Sequence, residues 1–98
     1  MMTMAGQVAL VTGASRGIGK AIAEALVAQG VTVVGTATTQ QGADAISAYL
    51  ADQGEGVALN VTDAESIDAV LKHIDERYGQ LDILVNNAGI TRDNLLMR

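Results

Sequence analysis

The chain alternates short, continuously apolar runs with longer segments whose apolar residues recur three or four apart. Val8 to Val11 is apolar throughout and is closed by Thr12-Gly13, the pattern of a strand buried on both faces. Ile18, Ile22, Ala25 and Leu26 then follow helical spacing, and Gly30 stands at the position where a glycine ends a helix. Val31-Thr32-Val33-Val34 is β-branched and predicts a second strand. Ala43, Ile46 and Leu50 share one face of a second helix that Gly54 closes, and Val57-Ala58-Leu59 predicts a third strand. A third helix carries Ile67, Val70, Leu71, Ile74 and Tyr78 on one face and stops at Gly79. Thr62 and Glu65 stand at capping-box spacing before it, with Asp63 as a rival cap. Leu81 to Val85 predicts a fourth strand running into Asn86-Asn87-Ala88-Gly89, and Ile90 to Arg98 reads as a loop that leads toward a further helix.

The predicted order is therefore β-α-β-α-β-α-β. Strand–helix alternation at this pitch implies parallel strands joined by right-handed crossovers, an α/β fold with helices on both faces of the sheet. No proline, linker or low-complexity tract divides the chain, so residues 1–98 read as one unit.

Composition narrows what that unit does. Hydrophobic residues make up 49% of the chain, yet Trp and Phe are absent and Tyr49 and Tyr78 are the only aromatics, so the core is aliphatic. That argues against the aromatic stacking surface of single-strand nucleic-acid binders. The net charge is −5 and the six Lys and Arg form no run, which speaks against any general nucleic-acid partner. There is no cysteine, which removes disulfides, thiolate metal sites and thiol catalysis together and is compatible with a reducing cytoplasm. Met1 to Gly6 has no charged segment and the next apolar run is far too short to span a bilayer, so neither a signal peptide nor a membrane partner is expected.

The chemistry-bearing segment is Thr12-Gly13-Ala14-Ser15-Arg16-Gly17-Ile18-Gly19, between the first strand and the first helix. Gly13 allows a sharp turn out of the strand, Gly17 lets a phosphate approach the backbone, and Gly19 lets the helix pack closely on the sheet. The helix N-terminus then directs N–H groups and a positive dipole end at the pyrophosphate, and Ser15 adds a hydroxyl. Because this turn follows a strand and opens a helix within a βαβ unit, it predicts dinucleotide binding rather than a merely flexible connection.

These residues resemble the TGxxxGxG cofactor motif of the short-chain dehydrogenases/reductases, and Asn86-Asn87-Ala88-Gly89 resembles that family's NNAG motif. Gly35-Thr36-Ala37-Thr38, Asn60-Val61-Thr62-Asp63 and Ile90 to Arg98 are most similar to its ketoreductase branch, which acts on acyl-carrier-protein thioesters in bacterial fatty-acid synthesis. The resemblance covers nearly all of the chain and under half of a full-length member. It implies a Rossmann-type sheet, here partial, with strand order 3-2-1-4. It also implies an oxidoreductase function in which these residues form the amino-terminal half of the dinucleotide-binding domain.

Val31 to Gly42 contains no acid, although an NAD-selective fold carries one about 20 residues after the glycine turn. Asp44 comes later, on the second helix. Thr38 stands near the expected place and Arg16 lies within the turn, a hydroxyl and a cation that suit the 2′-phosphate of NADP. The alternative is that Arg16 is a solvated loop residue and Thr38 a strand-end residue. By resemblance Ile18 joins the cofactor positions, Asn60 and Val61 hold the adenine, and Asn87 and Gly89 lie near the ribose. Asn86 braces the sheet, and Asn87 also has a purely structural reading as a bond to loop backbone.

The family's Ser, Tyr and Lys all follow the NNAG motif, so no catalytic residue is expected among these 98. Tyr49 has Gln53, and Tyr78 has Asp82, at the fourth position where the family places its Lys. His73 reads as a surface helix residue without a partner, on a solvated face with Asp68, Lys72, Asp75, Glu76 and Arg77 and pairs such as Asp68–Lys72. Asp82 reads as a turn or backbone-binding residue, and no acid cluster has metal-ligand spacing. The chain alone is thus expected to bind NADP(H) without reducing a thioester. The fourth strand would be an unpaired edge, prone to self-association. Two other readings stay open from sequence: a stand-alone nucleotide-binding module, and a short-chain reductase of different substrate.

Overall fold

Val8–Val11 (β1) is buried at every position because it has a strand on each side and helices on both faces. The structure, a computed structural model, describes residues 6–60 and 62–87. β1 is followed by α1 (Gly17–Ala28), β2 (Thr32–Ala37), α2 (Gln40–Leu50), β3 (Gly54–Ala58), α3 (Ala64–Tyr78) and β4 (Ile83–Val85). The four strands are parallel and ordered β3-β2-β1-β4, as expected for a partial Rossmann-type sheet. In register, Val11 stands beside Gly35 on one side and Val85 on the other.

Two cores form, one on each face. Ala9, Val11, Ala23, Val33, Ile46 and Leu50 pack together under α1 and α2. Val8, Leu10, Val34, Leu59, Val70 and Ile74 pack under α3. Alternate residues of β1 and β2 serve opposite faces, as the two-residue period of a strand requires. Each fully buried Val, Leu or Ile contributes roughly 1.5–3 kcal/mol of transfer free energy, which offsets the absence of large aromatics.

The helix ends follow the sequence signals with two corrections. Gly30 and Gly79 adopt φ of 86° and 77° just past α1 and α3, as expected of helix-ending glycines. The N-cap of α3 is Asp63, which accepts from the Glu65 N–H at 3.0 Å. Thr62 instead bonds to Asn60 Oδ1, so the rival cap prevails. Gly54 does not close α2. A short 3-10 turn, Ala51–Gln53, does so with Ala51 at φ 53°, and Gly54 opens β3, where a Cβ would collide with the Val33 carbonyl.

Other differences concern extent and orientation. β2 and β3 are longer than the β-branched runs that predict them, because pairing with a neighbour extends a strand through Gly35 and Gly56 regardless of propensity. β4 is shorter than Leu81 to Val85. In α1 the fully buried residues are Gly19 and Ala23 rather than Ala25, and Ile18 is 71% exposed, because the face that packs on the sheet runs through Gly19 and Ala23, one residue on from Ile18. Leu71 is also exposed, beside a groove toward β4. Among the described residues, no helix is long and apolar enough to cross a membrane.

Candidate functional site

All four strands are parallel, so their carboxyl ends lie along one edge of the sheet. The glycine turn, Thr38, Asn60 and Asn87 each follow directly on one of those ends. The chain reverses its direction across the sheet between β1 and β4, where such sheets open a crevice for ligands.

The turn itself is held from three directions. The Gly13 N–H donates to Thr36 Oγ1 at 3.3 Å and the Ala14 N–H to the Thr36 carbonyl at 2.9 Å. The Gly13 carbonyl accepts from Asn87 Nδ2 at 3.2 Å, and the Ala14 carbonyl from the Tyr49 hydroxyl at 2.6 Å. Gly13 and Gly17 both take left-handed φ, 65° and 64°, which glycine adopts at little strain. Open space surrounds the place where a Gly17 Cβ would stand, whereas a Gly19 Cβ would collide with the Gly13 carbonyl and lie 2.8 Å from Asn87 Nδ2. The two glycines therefore differ in surroundings: one has open space beside it, the other a packed contact.

The N-terminus of α1 differs from those of its neighbours. Thr39 caps α2 by accepting from the Gly42 N–H at 3.0 Å, and Asp63 caps α3. At α1 the N-cap is Arg16, whose side chain makes no capping hydrogen bond. The N-terminus of a helix carries N–H groups and a positive dipole end, an arrangement that suits a phosphate.

Beside that turn lies a cavity of about 380 Å³, lined by Ser15 and Arg16, by Ala37 and Thr38 after β2, and by Thr39, Gln41, Gly42 and Ala45. It brings together three residues singled out from sequence, Ser15, Arg16 and Thr38. Among the described residues, no carboxylate lines it. Asp44 lies on α2 and accepts from Gln40 Nε2 at 2.9 Å. The guanidinium of an Arg, hydroxyls and backbone N–H groups form a donor set for an anion.

A sequence-family model described as short chain dehydrogenase matches residues 7–97. The chain belongs to the short-chain dehydrogenase family. Among its relatives, the 3-oxoacyl-[acyl-carrier-protein] reductase FabG of Vibrio harveyi is 68% identical over 97 residues, covering 99% of this chain and 40% of the relative. The proteins of the same name from Vibrio cholerae and Escherichia coli (strain K12) are 69% and 64% identical over 97 residues, each with 99% of this chain and 40% of the relative covered. The chain thus spans about 40% of the length of the curated relatives it matches.

The remaining candidate positions of this short-chain dehydrogenase chain divide. Asn60 is exposed past β3, outside the cavity, and its Oδ1 accepts from the Thr62 N–H and hydroxyl at 3.0 and 2.7 Å. Ile18 is exposed on the first turn of α1. Asn87 is engaged with the turn backbone, in line with its structural reading, while Asn86 accepts from Thr12 Oγ1 at 3.2 Å and braces the sheet. Val61, Gly89 and the segment Ile90 to Arg98 lie outside the described residues. Asp82 accepts from the Val8 N–H at 2.9 Å, a backbone-binding role. His73 is not without a partner: its Nε2 lies 2.9 Å from Glu55 Oε2 on β3. The expected Asp68–Lys72 pair is not formed; the ion pairs among the described residues converge on Glu55.

Sequence reasoning missed Thr36 and Tyr49 as supports of the turn. A threonine just past the β-branched run Val31 to Val34 was a usable signal for the first. Nothing local marks the second, whose contact spans 35 residues.

Proposed function

We propose that this chain is the cofactor-binding half of an NADPH-dependent reductase of 3-oxoacyl-[acyl-carrier-protein] thioesters, acting in fatty-acid biosynthesis in the cytoplasm. The single observation that carries the choice of cofactor is the cavity in which Arg16, Ser15 and Thr38 converge with no acid among its described lining residues. An acid at the Thr38 position would bond a ribose 2′-OH and repel a 2′-phosphate; a cation and hydroxyls do the reverse. The name shared by the high-identity relatives supports the substrate class.

NADPH, when bound, supplies a hydride. This chain's residues contribute the adenosine end. Gly13, Gly17, Gly19 and the open first turn of α1 receive the pyrophosphate. Arg16, Ser15 and Thr38 hold the 2′-phosphate, Asn60 and Val61 take the adenine, and Ile18, Asn87 and Gly89 take the ribose and beyond. The acyl-carrier-protein thioester belongs to the full-length context.

Titration of the chain with NADPH and NADH, read by cofactor fluorescence, tests the reading. Tighter binding of NADPH is expected, with the difference lost in Arg16→Ala. Equal affinity for the two cofactors in the unmodified chain would overturn it.

A further inference from the structure

We propose that Tyr49 is a positioning residue: from α2 its hydroxyl holds the Ala14 carbonyl and so sets the gap in which the turn presents Ser15 and Arg16 to a nucleotide 2′-phosphate. The proposal rests on the reading of the cavity as the 2′-phosphate site.

Four hydrogen bonds restrain Gly13 and Ala14. Two come from Thr36 at the end of β2 and one from Asn87 after β4, so three of them tie the turn to the sheet. The fourth, from Tyr49, ties it to α2. The cavity is the space between the same two bodies, with Ser15 and Arg16 on one wall and Gln41, Gly42 and Ala45 of α2 on the other. Tyr49 stands one helical turn beyond Ala45 on α2, behind the residues that line that space. Its short bond to Ala14, the residue before Ser15, fixes how far the turn stands from α2 and so how far apart the two walls stand.

Two further contacts suit this role. Lys20, one turn after Arg16 on α1, places its Nζ 5.1 Å from the centroid of the Tyr49 ring, which joins the first helix to the second behind the turn. Burial, with the charge of Glu24 adding to it, pushes the Tyr49 phenol up to about 12, so the hydroxyl keeps its proton and remains a donor across the neutral range. A phenol so protonated and so bonded acts as a tether.

Tyr49→Phe removes the hydroxyl and keeps the ring packed in the core. The comparison variant is Ser47→Ala, which removes another tertiary hydrogen bond of α2, that from the Gly56 N–H at 2.8 Å, without touching the turn. NADPH and NADH dissociation constants and amide hydrogen exchange at Ser15 to Gly17 are measured for the full chain and both variants. Tyr49→Phe should weaken NADPH roughly three- to tenfold, the loss of one hydrogen bond's worth of pre-organisation, with a smaller effect on NADH and faster exchange at those amides. Ser47→Ala should lower stability and leave the dissociation constants unchanged. The proposal is overturned if Tyr49→Phe binds NADPH as the unmodified chain does, or if Ser47→Ala weakens it equally. Failure of the unmodified chain to prefer NADPH would instead remove the reading of the cavity on which the proposal stands.

Discussion

Glu55 Oε2 on the outer strand β3 and His73 Nε2 on α3 lie 2.9 Å apart, and the Tyr78 hydroxyl donates to the same oxygen at 2.8 Å. Arg77 Nε is 3.5 Å from it. Partial burial alone would push the Glu55 carboxyl up. The hydrogen bonds from His73 and Tyr78, with the charges of His73 and Arg77, outweigh that and leave it below its ordinary value. A carboxyl held low in the fold adds stability that is present above its unfolded value, about 4.3, and is lost as pH falls through the folded one. Urea midpoints should therefore drop on acidification below about pH 5. Glu55→Gln should flatten that limb while lowering stability at neutral pH by about 1 kcal/mol or less, given the partial exposure of the cluster. An unchanged acid limb in the variant would remove Glu55 as its source.

Thr38→Asp should move cofactor preference toward NADH. Thr38 is exposed at the cavity wall, so the substitution leaves the core untouched. The new carboxylate faces the side that Arg16 shares and repels a 2′-phosphate. The NADPH/NADH affinity ratio should fall on the order of ten- to a hundredfold, the range of a lost charge-assisted hydrogen bond. Parallel titrations of both cofactors measure it.

Gly19→Ala and Gly17→Ala should separate packing from conformation. At Gly19 the added methyl meets the Gly13 carbonyl, and backbone has to shift, at about 1–3 kcal/mol. At Gly17 the methyl meets open space, and the penalty is the left-handed φ, about 1–2 kcal/mol. The distinguishing readout is binding. Gly17→Ala should weaken NADPH more than its stability change suggests, because the methyl occupies the phosphate's approach.

Among the described residues β4 pairs with β1 alone, and it carries Leu84 at 42% exposure, next to a groove of about 370 Å³ whose lining includes Leu10, Leu59, Ile67, Val70, Leu71 and Leu84. An unpaired edge with apolar side chains favours self-association. Sedimentation velocity across a wide concentration range should show growing species, and Leu84→Lys should suppress them. Concentration-independent monomer in the unmodified chain contradicts this.

Turnover of an acetoacetyl thioester with NADPH should be absent from the purified chain. Neither tyrosine is poised as an acid at neutral pH. Tyr49 is pushed up to about 12 and donates to a backbone carbonyl. Tyr78 is raised, first by burial and then by its bond to Glu55. General acid catalysis requires a group nearer the working pH. Oxidation of NADPH that persists after host reductases are removed would contradict the expectation.

The sequence alone determined the parts of this protein that depend on neighbouring residues. Apolar runs and helical spacing marked four strands and three helices, Gly30 and Gly79 marked helix ends, and Thr12 to Gly19 marked the turn, because each of these is written within one window of chain. The tertiary structure alone decided what meets across the sheet. Ile18 has the periodicity of a core residue and lies in solvent, because periodicity alone does not fix which neighbouring position faces the sheet, here Gly19. His73 looks solitary and finds Glu55 18 residues away, Tyr49 reaches Ala14 across 35, and Asn87 reaches Gly13 across 74. Such contacts exist only after the parallel crossovers have laid the strands side by side and the helices across them. A local pattern records which face of an element is apolar; which polar group faces it from a distant element depends on how the whole sheet closes.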